Sequence, residues 1–276
     1  MRDVAALVNE GAMLGDAGRA AEALSRFEEA TLLTHSDDDL YQLRLNKGLA
    51  LQALFRHREA ISVLRAAHEH APTGEDHVAA EYLAMSHVEL AREQENDAGV
   101  VSELLAAAAE LLPTRAELST AAAASHHSLG VQLASSGRHE EALHKYGKSL
   151  ALDPAHAPTW VNRGLSLDAT TRLDEAVFAT ATAVELSVEL APAAASAAYL
   201  NLGLLQRKQL DELRRRHDRH GRRRPSSSAV AEEALGSFSA ARRLAPSRGD
   251  GWYYAANGLI SDGRSVRTCV RACVSE

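Results

Sequence analysis

Six asparagines occur in this chain, and four of them, Asn9, Asn46, Asn162 and Asn201, stand two residues before a glycine (Gly11, Gly48, Gly164, Gly203). Ser128 holds the same place before Gly130, and Tyr82 holds it before Ala84. A carboxamide carries a donor and an acceptor on one planar group, so it can pair bidentately with a backbone amide of another chain. Each such bond contributes only about 0.5–1.5 kcal/mol net. Several in a row would grip an extended peptide with little regard for its side chains. The chemistry these residues offer is recognition.

The residues that could do covalent or metal chemistry lack the required spacing. HEEALH, His139 to His144, sets its histidines five apart, whereas two ligands on one helix face want four. Cys269 and Cys273 are four apart near the C-terminus without other ligands nearby in sequence. His126, His127, His68 and His70 are expected at the surface. No phosphate loop, nucleophile elbow or paired-carboxylate motif is present. The expectation is a non-enzyme with no cofactor and no metal.

The asparagines sit in a longer pattern. Gly130 is followed by Leu133, Ala142, Tyr146 and Pro154; a shift of 34 residues brings Gly164, Leu167 and Ala176, with Trp160 four before the glycine. Thr180 replaces the second aromatic, and the proline slips to Pro192. Near the N-terminus Gly11, Leu14, Ala23, Phe27 and Ala30 repeat the set, then Gly48, Leu51, Ala60, Leu64 and Ala67. A 34-residue period of this kind is a pair of helices that stacks on its neighbours. On the first helix the aromatic, glycine and leucine places form the packed stripe. The place two before the glycine lies about 200° from the start of that stripe and points away from it.

With these residues the chain resembles the tetratricopeptide repeat (TPR) family. The resemblance implies an all-α, right-handed α-solenoid of about seven helix-turn-helix units whose first helices line a concave groove. WVNRG, YLNLG and RLNKG resemble the asparagine ladder in the TPR domains of O-GlcNAc transferases, although nothing here resembles a glycosyltransferase domain. The groove would carry Asn9, Asn46, Ser128, Asn162 and Asn201, with Leu165 and Leu204 beside them and Val8, Leu45, Val161 and Leu200 in neighbouring places. The asparagine place also has a plainer reading, a bond to neighbouring backbone. The family's other binding mode, capture of a C-terminal carboxylate, needs Lys three before a glycine and Asn just after it. Here those places hold His127 and Val131, or Val8 and Ala12. The charges that mode requires are missing.

Composition agrees with helices and with a protein partner. Apolar residues make up 46% and aromatics only 4%, with alanine abundant, which favours closely packed helices. The net charge of −7 conceals nine basic and three acidic residues between Arg207 and Arg224. The rest of the chain is therefore strongly acidic, which does not suit general nucleic-acid binding. No apolar run approaches the ~18 residues of a membrane span. Two neighbouring cysteines make no disulfide framework, so a cytoplasmic, reducing compartment is expected.

The expected organisation is residues 1–113 as units 1–3, the third degenerate, and 114–195 as units 4–5. Residues 196–248 form unit 6, and 249–276 a partial seventh unit and tail. Unit 6 holds an arginine-rich insertion at about 207–228, expected to be disordered because like charges repel and solvate. Within it Ser226 follows Arg223-Arg224-Pro225 and resembles a basophilic kinase site. The expected function is a scaffold or adaptor that holds an extended or helical peptide of another protein in its groove. Two alternatives stand beside it: a regulatory TPR fragment of a larger protein such as a glycosyltransferase-type enzyme, and docking of an acidic partner or RNA on the arginine-rich loop. Oligomeric state is not legible.

Overall fold

The computed structural model describes residues 3–34, 37–72, 76–186, 192–219 and 228–245. Ser226, Cys269, Cys273 and everything expected of residues 246–276 lie outside them. Among the described residues there are twelve helices and no strand. In order they are α1 (Val4–Asp16), α2 (Ala20–Thr31), α3 (Asp37–Ala53), α4 (His57–Glu69), α5 (Asp76–Glu93) and α6 (Ala98–Leu111). Then follow α7 (Ala116–Ser135), α8 (His139–Leu152), α9 (Ala157–Ala169), α10 (Leu173–Glu185), α11 (Pro192–Arg219) and α12 (Ser228–Leu244). They form two compact units, 1–126 and 127–276.

Within each unit consecutive helices pack in order, α1 through α6 in the first and α8 through α12 in the second. The cause is one contact repeated. A glycine of the first helix lets a bulky side chain of the second helix lie against its backbone. Phe27 lies on Gly11, Leu64 on Gly48, Tyr146 on Gly130, Thr180 on Gly164 and Phe238 on Gly203; a Cβ at any of these glycines would come within 2.2–2.7 Å of its partner. The last pair keeps the contact although its residues are separated by 35 positions rather than 16, so the extra sequence leaves the helix interface in register.

The turn between paired helices is also repeated. Seven residues after the glycine the backbone takes a left-handed φ: Gly18 (75°), Phe55 (58°), Gly137 (77°) and Thr171 (62°). The next residue is always arginine, whose N–H donates to the carbonyl of Leu14, Leu51, Leu133 or Leu167 at 2.8–2.9 Å, closing the first helix in a Schellman-type cap. Each arginine then pairs bidentately with a glutamate three residues on: Arg19–Glu22, Arg56–Glu59, Arg138–Glu141 and Arg172–Glu175. These hydrogen bonds hold the carboxyls below and the guanidiniums above their ordinary ranges. All four pairs are solvent-exposed, so they orient the turn more than they stabilise it.

The degenerate helix pair of the first unit is α5–α6. Ala84 replaces the glycine and is buried, and Asp97 caps α6 by accepting from the N–H groups of Gly99 and Val100. Gln52 of α3 stitches this pair to its neighbour, donating to the Tyr82 carbonyl and the Ser86 hydroxyl, both at 2.7 Å.

One expectation is corrected in part here; of the segment 207–228 expected to be disordered, residues 220–227 lie outside the described residues. The arginine-rich segment is helical as far as Arg219, because α11 runs on without a break. Its base is anchored by buried Gln206 and Leu210, and Ser237 of α12 donates to Gln206 Oε1 at 2.9 Å. Beyond that, Glu212 pairs with Arg216 one turn on, and Asp211 with Arg214, so carboxylates interleave the cations along the helix. Repulsion is answered locally, and arginine is a good helix former.

Candidate functional site

The place two before each glycine is open to solvent or half-buried in both units. In the first unit Asn9 is exposed and Asn46 half-buried; in the second Ser128 is exposed, and Asn162 and Asn201 are half-buried. Tyr82 is half-buried as well. Packing produces this: with the stripe of the first helix turned onto its partner, a residue roughly 200° around the helix cannot enter the same interface.

Among the described residues none of the four asparagine side chains makes a hydrogen bond within the chain. Their donors and acceptors are therefore available to another molecule. In the first unit Asn46 lines an open groove of about 220 Å³ between α1 and α3. It is lined by Gly11, Ala12, Gly15 and Asp16 of α1, by Leu49, Ala50 and Ala53 of α3, and by Ala20 and Phe27 of α2.

The apolar residues expected beside the asparagines divide. Leu165 is 46% exposed and stands free in the second unit. Leu204 and Leu200 are half-buried and pack against the Ala234–Phe238 cluster, so much of their surface is taken up internally. Leu45 belongs to the core at 8% exposure, not to a groove lining, and Val8 packs against that same core. The reason lies in α3, which packs against α1, α2, α4 and α5 and so buries a wider arc than a single stripe.

Of the four histidines expected at the surface, His70 is exposed and His68 half-buried, while His126 and His127 are corrected. His126 is buried at 1%, and His127 belongs to a polar cluster of the second unit. His127 Nδ1 and His156 Nδ1 both meet the Thr159 hydroxyl, at 2.9 and 2.6 Å, and Ser149 Oγ lies 3.2 Å from it. Burial first, then the nearby His156, pushes the His127 pKa down. This cluster ties α7, α8 and α9 together. The only hint in the sequence was that two hydroxyl residues, Ser149 and Thr159, replace apolar ones at buried places.

A second solvent-facing group is aromatic. Arg163 lies over the Trp160 ring at 5.3 Å, Phe178 meets the same ring edge-on at 6.4 Å and is 66% exposed, and Trp160 Nε1 donates to the Pro154 carbonyl at 2.8 Å. Among the described residues no group of three or more His, Cys, Asp or Glu side chains is arranged to hold a metal ion. No helix among them is long and apolar enough to cross a membrane.

Paired helices with a side chain of the second helix seated on a glycine of the first, a fixed turn and a repeated register make this an all-α helical-repeat solenoid, the architecture that the sequence resemblance to the TPR family implies. No family model matches the sequence, and no curated protein does. Solved structures do. The TPR2AB-domain:pHSP90 complex of yeast Sti1 is 17% identical over 96% of each chain, with a TM-score of 0.37. TTC0263, a thermophilic TPR protein of Thermus thermophilus, is 21% identical over 80% of this chain and 99% of its own, at 0.32. YrrB, a TPR protein with an unusual peptide-binding site, is 20% identical over 68% and 88%, at 0.32. At these identities and scores the likeness adds nothing to the helix-pair geometry, which defines the fold by itself.

Proposed function

We propose that the chain is a non-enzymatic protein-interaction scaffold that binds an extended peptide of another protein along the carboxamides of its first helices. Asn9 and Asn46 serve the first unit, and Asn162 and Asn201, with Ser128 and Leu165, the second. One observation carries the reading: four of the six asparagines recur at one register, and none of the four spends its amide on the chain itself. The alternative use of this place, a bond to neighbouring backbone, has no support among the described residues. The groove beside Asn46 supplies the space that a peptide backbone needs next to such an amide.

The test compares partners captured from cell extract by the tagged full chain and by its Asn162→Ala/Asn201→Ala variant, identified by mass spectrometry. Partners lost from the variant support the carboxamide site and name its ligand. Identical partner sets overturn it.

A further inference from the structure

A second opening in the first unit differs in chemistry from the asparagine groove. It is a cleft of about 270 Å³ where α2, α3 and α4 meet. Leu40 and Leu43 of α3 and Val63 and Ala66 of α4 make an apolar floor, while Arg44 and Lys47 stand over it. At about 100° per residue these α3 positions lie roughly 60–160° around the helix from Asn46. The cleft is therefore on another side of α3 from the carboxamide groove.

Two features point to an occupant. First, Arg44 and Lys47 make no ion pair among the described residues. Lys47 is felt by Glu59 only at longer range, and Glu59 is already engaged by Arg56. Several other cations of this unit are answered directly, Arg26 by Glu10 and Glu29, Arg56 by Glu59, Arg92 by Glu89 and Arg115 by Glu81. Arg58 and Arg65 of α4 share the unpaired state among the described residues but do not line the cleft. Two cations one helical turn apart, about 4.5 Å along the axis, are placed to take carboxylates. Second, the cleft is open and small: Ser62 and Thr31 at its edge are exposed, and Leu40, Val63 and Ala66 are half-buried. Pockets that enclose a free small molecule are about 300–1,000 Å³ and cover most of its surface. An open cleft of this size instead suits one or two side chains presented by a larger chain.

We infer that this cleft is a second peptide-docking site, for a segment of a protein partner that sets an aliphatic side chain beside acidic residues. The aliphatic group enters between α3 and α4, and the neighbouring carboxylates meet Arg44 and Lys47. The site is separate from the carboxamide groove and does not depend on it.

The experiment measures fluorescence anisotropy of a labelled synthetic peptide of repeating Glu-Leu-Glu-Asp-Leu-Glu with the full chain. Expected are saturable binding, weakening as salt rises, and at least tenfold loss of affinity in Arg44→Glu/Lys47→Glu. Arg44→Gln/Lys47→Gln gives the same reading with less perturbation should the charge reversal unfold the unit. Replacing the peptide's acids by glutamine, or its leucines by serine, should also abolish binding, and Asn9→Ala/Asn46→Ala should leave it unchanged. No binding to wild type, equal binding to the glutamine peptide, or full affinity in both Arg44/Lys47 variants would overturn the inference. Loss in Asn9→Ala/Asn46→Ala alone would move the peptide to the carboxamide groove and overturn it too. The carboxamide proposal stands or falls separately, on partners sensitive to Asn162 and Asn201.

Discussion

Replacing Gly130 by alanine removes the most flexible residue from the middle of α7, a change worth about 1 kcal/mol in favour of a helix. The structure reverses that sign. The new methyl would stand 2.5, 2.7 and 3.1 Å from Cε1, Cδ1 and Cζ of Tyr146. Carbon atoms rest at about 3.5–4.0 Å, so ring and helix must part by about 1 Å. Tyr146 is 1% exposed and packs with Leu133 and Ala142, which leaves its ring no free direction. Overpacking of this kind costs about 1–3 kcal/mol, and parting the two helices adds further lost contact. Gly130→Ala should therefore destabilise by about 1–3 kcal/mol after the propensity gain is offset. Gly147 provides the internal control: it lies in α8, and nothing stands within 4 Å of an added Cβ. There the same substitution should stabilise by about 0.5–1 kcal/mol. Urea unfolding followed by circular dichroism reads both, as midpoints compared at unchanged slope. A Gly130→Ala midpoint at or above wild type would refute the glycine-on-aromatic account of the repeat.

Thr171→Gly and Phe55→Gly should each stabilise by about 1 kcal/mol in thermal melts, because both residues hold left-handed φ values in exposed turns where Gly18 and Gly137 serve elsewhere. Acid should weaken the second unit through His127. Its folded pKa lies below the ordinary value, so the unfolded chain takes up the proton first, and stability present above about pH 6.5 is lost as pH falls through the lower folded value. His127→Gln should flatten the fall in melting temperature between pH 7 and 5; an unchanged slope would remove His127 from that role. Ser237→Ala should destabilise by about 0.5–1.5 kcal/mol through loss of its bond to buried Gln206, read by the same melts.

The repeat register was legible because each glycine, alanine and aromatic place is fixed by a direct backbone-to-side-chain approach, and residue size alone carries that signal. The carboxamide place was legible for the same reason, since it is the complement of the packed stripe. Leu45 was misread because a helix covered on several sides buries residues that a single stripe leaves out. His126 and His127 were misread because a polar side chain at a helix interface shows itself only through its partner. Thr159 reaches His127 from 32 residues away. The helix through Arg214, Arg215 and Arg216 is not legible from the charge block alone, because its stability depends on Asp211 and Glu212, which answer the cations one turn earlier. Phe55 and Thr171 conceal the turn that Gly18 and Gly137 announce, since the arginine cap holds the same backbone whichever residue precedes it.

The most direct measurement takes a peptide from a partner lost in the capture experiment and titrates it against wild type, Asn162→Ala, Asn201→Ala and the double variant by calorimetry. Single losses of about 2–10-fold, matching hydrogen bonds of about 0.5–1.5 kcal/mol, and a double loss exceeding their combination are expected if both amides grip one peptide. A double variant that binds as tightly as wild type would contradict the carboxamide site.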